Sequence, residues 1–112
     1  MTRIANKEAK AYVNRREVFE TTNKTMYALQ KPEGRYAVYS YGSHFPMYVY
    51  DAVAGQWFGN ADKYSVTTSR HQSQARPDVD DIMWLDTDQM RHLAKRGYVN
   101  ACADRIIGDA NG

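Results

Sequence analysis

The sequence predicts an α+β fold, a small antiparallel β-meander packed by N- and C-terminal helices. Three observations carry this expectation. Strand-like runs rich in tyrosine and valine alternate with glycine-containing turns between residues 36 and 59. Apolar spacing of three and four residues is confined to the two ends of the chain. A length of 112 residues, 43% hydrophobic and 25% charged, suits one ordinary domain with one core. The single domain, residues 1–112, divides into an N-terminal helix (1–16), an antiparallel sheet (17–66) and a helical C-terminal part (67–112).

In chain order, Ala9, Tyr12, Val13 and Arg16 recur at helical spacing, and Asn6 is placed to cap their first turn. Residues 17–30 change period. Val18, Phe19, Thr21, Thr22, Thr25, Met26, Tyr27 and Leu29 are β-branched, aromatic or aliphatic, with Asn23-Lys24 as the turn of a short hairpin; a helix continuing through Val18 and Phe19 is the rival reading. Pro32 and Gly34 mark a turn. Residues 35–41 and 45–51 then read as two strands joined at Gly42-Ser43-His44, and Gln56 begins a third. Pro46 lacks an amide donor, which places it at a strand start or facing away from the ladder.

Thr67, Thr68 and Ser69 are each able to start a short helix over residues 70–75 that Pro77 stops. Residues 78–81 form an acidic loop, and Ile82-Met83-Trp84-Leu85 is an apolar run that plugs the core or adds a strand. Asp86 or Thr87 caps a helix carrying Met90, Leu93 and Ala94 on one face, with Gly97 as its stop. A last helix is expected over residues 98–107, followed by a frayed tail over 108–112.

Composition excludes several function classes. The longest uncharged apolar stretch, residues 36–50, is interrupted by Ser40, Gly42, Ser43, His44 and Pro46, short of the roughly 20 apolar residues of a spanning helix. Charge follows Met1 at once where a secretory peptide needs an apolar run, and Cys102 is the single cysteine, so the expected setting is the reducing cytoplasm. His44, His71 and His92 are widely separated, and phosphate-loop, nucleophile-elbow and zinc-protease motifs are missing, so neither a catalytic residue, a metal site nor a cofactor is expected. Net charge is only +2, but residues 1–35 carry +4 and residues 78–112 carry −3. If the ends fold apart, one face is basic and another acidic.

Three constellations are candidate binding surfaces. Nine of the 14 aromatic residues fall within residues 36–64. Strict alternation pairs Tyr39 with Tyr41 and Tyr48 with Tyr50, opposite a core face of Phe45, Met47 and Val49 that Trp84, Leu93 and Ile106 cover. The tyrosines either brace the sheet or form an open platform on which bases stack. Residues 62–74 form the most polar stretch, in which Lys63, Tyr64, Thr68, Ser69, Arg70 and His71 either cap a helix or converge on an anion at its positive end. His71 is expected beside Thr67 or Thr68, one turn back. Asp78, Asp80 and Asp81 form an acidic patch, extended by Asp86 and Asp88, that either solvates a loop or imitates a row of phosphates.

The run YAVYSYGSHFPMYVYD from Tyr36 to Asp51, Trp57 and Asn60, then KYSVTTSRHQ from Lys63 to Gln72 with Pro77, resembles a group of short proteins encoded by tailed bacteriophages and other mobile elements. The resemblance spans about residues 12–77. It implies an accessory gene working inside a bacterial host cell and assigns no site residue. Together these readings lead to an expected non-enzymatic protein that binds a macromolecule, a host protein or protein–nucleic-acid complex of the nucleic-acid-handling or defence machinery, with no membrane involved. A direct single-stranded nucleic-acid binder and a small phosphoesterase using Ser69, Arg70 and His71 are the alternatives.

Overall fold

The computed structural model describes residues 2–63 and 65–108. Its elements run β1 (Arg3–Ile4), α1 (Ala9–Asn14), β2 (Phe19–Thr21), β3 (Met26–Lys31), β4 (Arg35–Ser40), β5 (Pro46–Asp51), β6 (Gln56–Asn60), α2 (Val66–Ala75), β7 (Met83–Leu85), α3 (Thr87–Arg96) and α4 (Tyr98–Ala103). The protein is α+β, with a mixed and mostly antiparallel sheet of seven strands in chain order. The expected tail lies almost wholly outside the described residues.

Four antiparallel pairings join β2 to β6, while β1 beside β2 and β7 beside β6 are parallel. A parallel pair needs a crossover, and α1 and α2 supply the two crossovers. Both connections step in the same direction across the sheet between strands of the same orientation. The right-handed rule for such units therefore sends both helices to one face. Ala9 and Val13 of α1 and Ala75 of α2 accordingly share one buried cluster with Phe19, Met26, Tyr36, Val38, Phe45, Met47 and Tyr48. The opposite face holds Ala37, Tyr39, Val49 and Phe58 against Met90, Leu93 and Ala94 of α3 and Ala101 of α4.

Alternation holds along β4, which sends Tyr36 and Val38 to one cluster and Ala37 and Tyr39 to the other. Along β5 it fails. Val38 pairs with Tyr48 but Tyr39 pairs with Pro46, so Met47 is the extra residue of a β-bulge. The bulge puts Phe45 and Met47 on the same side as Tyr48 and leaves Val49 on the other, correcting the faces that strict alternation implied. Leu93 and Ile106 do pack in the Val49 cluster, whereas Trp84 meets Tyr48 on the opposite side.

The hairpin around Asn23-Lys24 forms, with Lys24 at φ 60° and the Thr21 hydroxyl accepting the amides of Thr25 and Met26 at 3.1 Å each. Pro46 opens β5, as its missing donor requires. The first helix is a 3₁₀ turn (Asn6–Glu8) followed by α1, so Asn6 lies inside the turn and Ala5 precedes it. The last helix is shorter than expected because Arg105 takes a positive φ of 60°, after which Ile107 is still buried. Asp86 caps α3 by accepting the Gln89 amide at 2.8 Å, while the Gln89 side-chain oxygen accepts the Asp86 amide at 3.0 Å. No helix among the described residues is long and apolar enough to cross a membrane.

Candidate functional site

The tyrosines do not make a platform. Tyr39 and Tyr48 are only 3% and 2% exposed and lie on opposite faces of the sheet, since Tyr48 is in register with Val38, the neighbour of Tyr39. Tyr39 stacks on Tyr27 with centroids 5.0 Å apart. The Tyr48 hydroxyl donates to the Gln72 carbonyl at 2.7 Å, and burial pushes it up to about 12. Tyr50 is half-buried between Trp57, at 5.3 Å, and the Arg16 guanidinium, 4.5 Å over its ring. Tyr41 alone of the four is open, at 57%, on a residue with φ 64°. Tyr64 lies outside the described residues.

The polar stretch is spent on architecture. Helix α2 begins earlier than expected, with Ser65 as its cap: the Ser65 hydroxyl accepts the Thr68 amide at 3.1 Å, and the Ser65 carbonyl accepts the Ser69 amide at 3.0 Å. The Thr68 and Ser69 amides, expected to face an anion, are thereby engaged within the helix start. Thr68, His71, Gln72 and Ala75 form the inner face of the helix, and three of these four are polar. They fasten it to the sheet by directed bonds where other helices use apolar contact. Gln72 donates to the Asn60 carbonyl at 2.9 Å and to the Asp62 carbonyl at 3.3 Å. His71 shares the inner face of the helix with Thr68, one turn back, but its hydrogen bond goes to the sheet: Nδ1 lies 2.8 Å from the Ser40 hydroxyl, and its ring lies 5.4 Å from that of Tyr41. Burial, helped by the Arg70 charge, holds this imidazole below its usual range. Arg70 and Lys63 are exposed, and Ser69 is half-buried.

A cleft of about 620 Å³ opens at the start of α3, lined by His44, Phe45, Asp62, Lys63, Asp86, Thr87, Asp88 and Arg91. Its carboxylates serve the start of α3. Asp62 accepts from the Thr87 amide at 2.8 Å and the Thr87 hydroxyl at 2.7 Å, which holds it below the ordinary carboxylate range. Asp86 is the helix cap already described.

Asp78 leaves the acidic patch to tie the β7 approach to α1. Its carboxylate accepts from Asn14 at 2.9 Å and Lys10 at 3.4 Å, and its amide donates to the Asn14 side-chain oxygen at 2.8 Å. Asp80 and Asp81 remain exposed. Among the described residues no group of three or more His, Cys, Asp or Glu side chains is placed to hold a metal ion. Cys102 is half-buried against the α3 side of the core.

Of the two readings of residues 82–85, the added strand holds as β7, and what sequence reasoning missed is the exposure of Met83 and Trp84 on it. Strand β7 is the sheet's last, and these side chains are 38% and 44% exposed. The Trp84 ring lies 6.3 Å from that of Tyr48, covers Gly59, and has the Arg76 guanidinium 5.4 Å over it. Three residues are too few for alternation to reveal which face is covered. The signal that was present is the placement of this apolar run within residues 77–88, which hold five aspartates and no lysine or arginine.

No family model, curated protein or solved structure matches this chain.

Proposed function

We infer that the chain is an accessory protein of a phage or mobile element that binds a protein of its bacterial host, one belonging to the nucleic-acid-handling or defence machinery, and carries out no chemistry of its own. The observation that carries this reading is the exposed Met83-Trp84 pair on an edge strand, set within a run of aspartates. Tryptophan and methionine are enriched in protein interfaces, where a rigid aromatic contributes a large share of the binding energy. Neighbouring negative charge repels nucleic acid and attracts basic proteins, the class that handles nucleic acid.

The direct nucleic-acid reading loses Tyr39 and Tyr48 to burial and keeps, among the described residues, open Tyr41 and half-buried Tyr50, with Arg70 and Lys63 exposed. The phosphoesterase reading needs Ser69 and His71 to cooperate, whereas His71 is turned inward to Ser40. The deciding experiment is affinity capture from bacterial lysate with the wild-type chain and Trp84→Ser, with and without nuclease. A partner retained after nuclease and lost with Trp84→Ser is the expected result. A partner released by nuclease returns the assignment to nucleic acid.

A further inference from the structure

The open edge of β7 has a defined hydrogen-bonding polarity. The Leu85 carbonyl accepts the Ala61 amide at 2.7 Å, and Leu85 is in register with Asn60. Bonding residues alternate along a parallel ladder, so Leu85 and Met83 turn their amides and carbonyls toward β6 while those of Trp84 turn outward. No strand lies beyond β7 among the described residues. An unpaired donor and acceptor therefore stand at the sheet edge between two exposed apolar side chains.

Charge decides what fits there. Asp80 and Asp81 precede the strand and Asp86 and Asp88 follow it, so chain continuity puts carboxylates at both ends of this edge. The Trp84 ring already takes one guanidinium, that of Arg76. A second copy of the chain could offer its other edge, β1, but that edge is only Arg3–Ile4, and its Arg3 faces Glu20 at 3.5 Å. A longer strand with basic residues flanking an apolar centre complements the β7 edge on all three counts: backbone bonds, apolar contact and charge.

We propose that the β7 edge receives an extended, basic segment of the partner protein, which adds a further strand to the sheet through the Trp84 amide and carbonyl. This rests on the protein-binding reading above and specifies its chemistry. Edge addition draws affinity from the main chain and specificity from alternate side chains, here with lysines or arginines near exposed Asp80 and Asp81.

The test uses the full chain and the labelled synthetic peptide KRVTVRK, with the acidic peptide EEVTVEE and two N-methylated forms of the basic peptide, each methylated on alternate residues. Fluorescence anisotropy should show that KRVTVRK binds and EEVTVEE does not. One methylated form should lose at least tenfold with its charge unchanged. The doubly reversed variant Asp80→Lys, Asp81→Lys alters exposed side chains only and should also lose at least tenfold, and amide exchange at Trp84 should slow when the basic peptide is bound. Equal binding of both peptides, indifference to both methylated forms, or an unprotected Trp84 amide overturns the proposal. A nuclease-resistant partner captured equally by wild type and by the charge-reversed variant also overturns it, yet leaves protein binding standing at another surface. Self-association that buries β7 in sedimentation overturns it in favour of a second copy.

Discussion

The Ser40 hydroxyl and the His71 imidazole meet at 2.8 Å in the interior and join the end of β4 to the middle of α2. Ser40 and His71 are both buried, so neither finds water as a substitute partner. Ser40→Ala should cost about 1–2 kcal/mol in urea melts, since it leaves the ring nitrogen unpaired. The same pair sets a pH dependence. The native state holds His71 below its ordinary value of 6.5, so on acidification the unfolded chain takes up a proton that the native state refuses. The stability contributed by neutral His71 is complete above about pH 6.5 and is lost progressively below it. Melts of wild type and His71→Phe across that range should show the wild type falling more steeply on the acid side. Parallel curves would remove His71 as the cause.

Gly97 joins α3 to α4 at φ 85° and ψ 162°, a region open essentially to glycine alone. A Cβ there would stand 2.7 Å from Nη1 of buried Arg35, whose other terminal nitrogen donates to the Lys95 carbonyl at 3.1 Å. Gly97→Ala is expected to destabilise by about 1–3 kcal/mol from backbone strain alone, and by more if Arg35 cannot yield. Thermal unfolding checks this, and a change below about 0.5 kcal/mol, the ordinary surface value, contradicts it.

The two faces of the sheet should respond differently to truncation. Leu93→Ala removes a fully buried aliphatic group on the α3 side and should cost about 2–5 kcal/mol. Tyr48→Phe keeps the ring in the α2-side core and removes one bond to the Gln72 carbonyl, for about 1 kcal/mol. Tyr48→Ala, by contrast, should approach the 3–5 kcal/mol typical of a buried aromatic ring. Denaturant melts that rank Tyr48→Ala as harmless would restore an exposed tyrosine face.

Gly59 supports Trp84 by having no side chain. A Cβ at this position would lie 2.6 Å from the ring and 2.9 Å from Ile82. Gly59→Ala should shift the Trp84 ring, cost about 1–3 kcal/mol through overpacking, and change tryptophan emission in a Trp57→Phe background. Emission unchanged from that background would show that the ring does not rest on Gly59.

Much of the sheet was legible because its punctuation is local. Asn23-Lys24, Pro32 to Gly34, Gly42 and Gly55 fall between runs of β-branched and aromatic residues, and each boundary needs only neighbouring residues to be read. The faces of β5 were not legible. The extra residue, Met47, exists only relative to Tyr39 on the next strand, so no pattern within β5 discloses it. The same holds for α2. Its composition is that of a phosphate-binding loop, and only the positions of Ser40, Asn60 and the Asp62 carbonyl, all distant in sequence, reveal that His71 and Gln72 are structural fasteners. Trp84 escaped for the complementary reason: an apolar side chain reads as core unless the sheet is known to end beside it.

The match between strand order and chain order also sets how the molecule comes apart. Each central strand is bonded to its neighbours in sequence across short turns, so β3, β4, β5 and β6 can assemble by successive local closures. The parallel edges are different: β1 and β7 each wait on a helix to return the chain. Amides of β4 and β5 should therefore exchange with solvent only on global unfolding, while the paired amides of β1 and β7 exchange through partial openings of much lower free energy. Strand β7 can then detach and re-form without dismantling the ladder behind it, so the edge bearing Trp84 is, with β1, one of the two parts of the sheet that open at little cost to the whole.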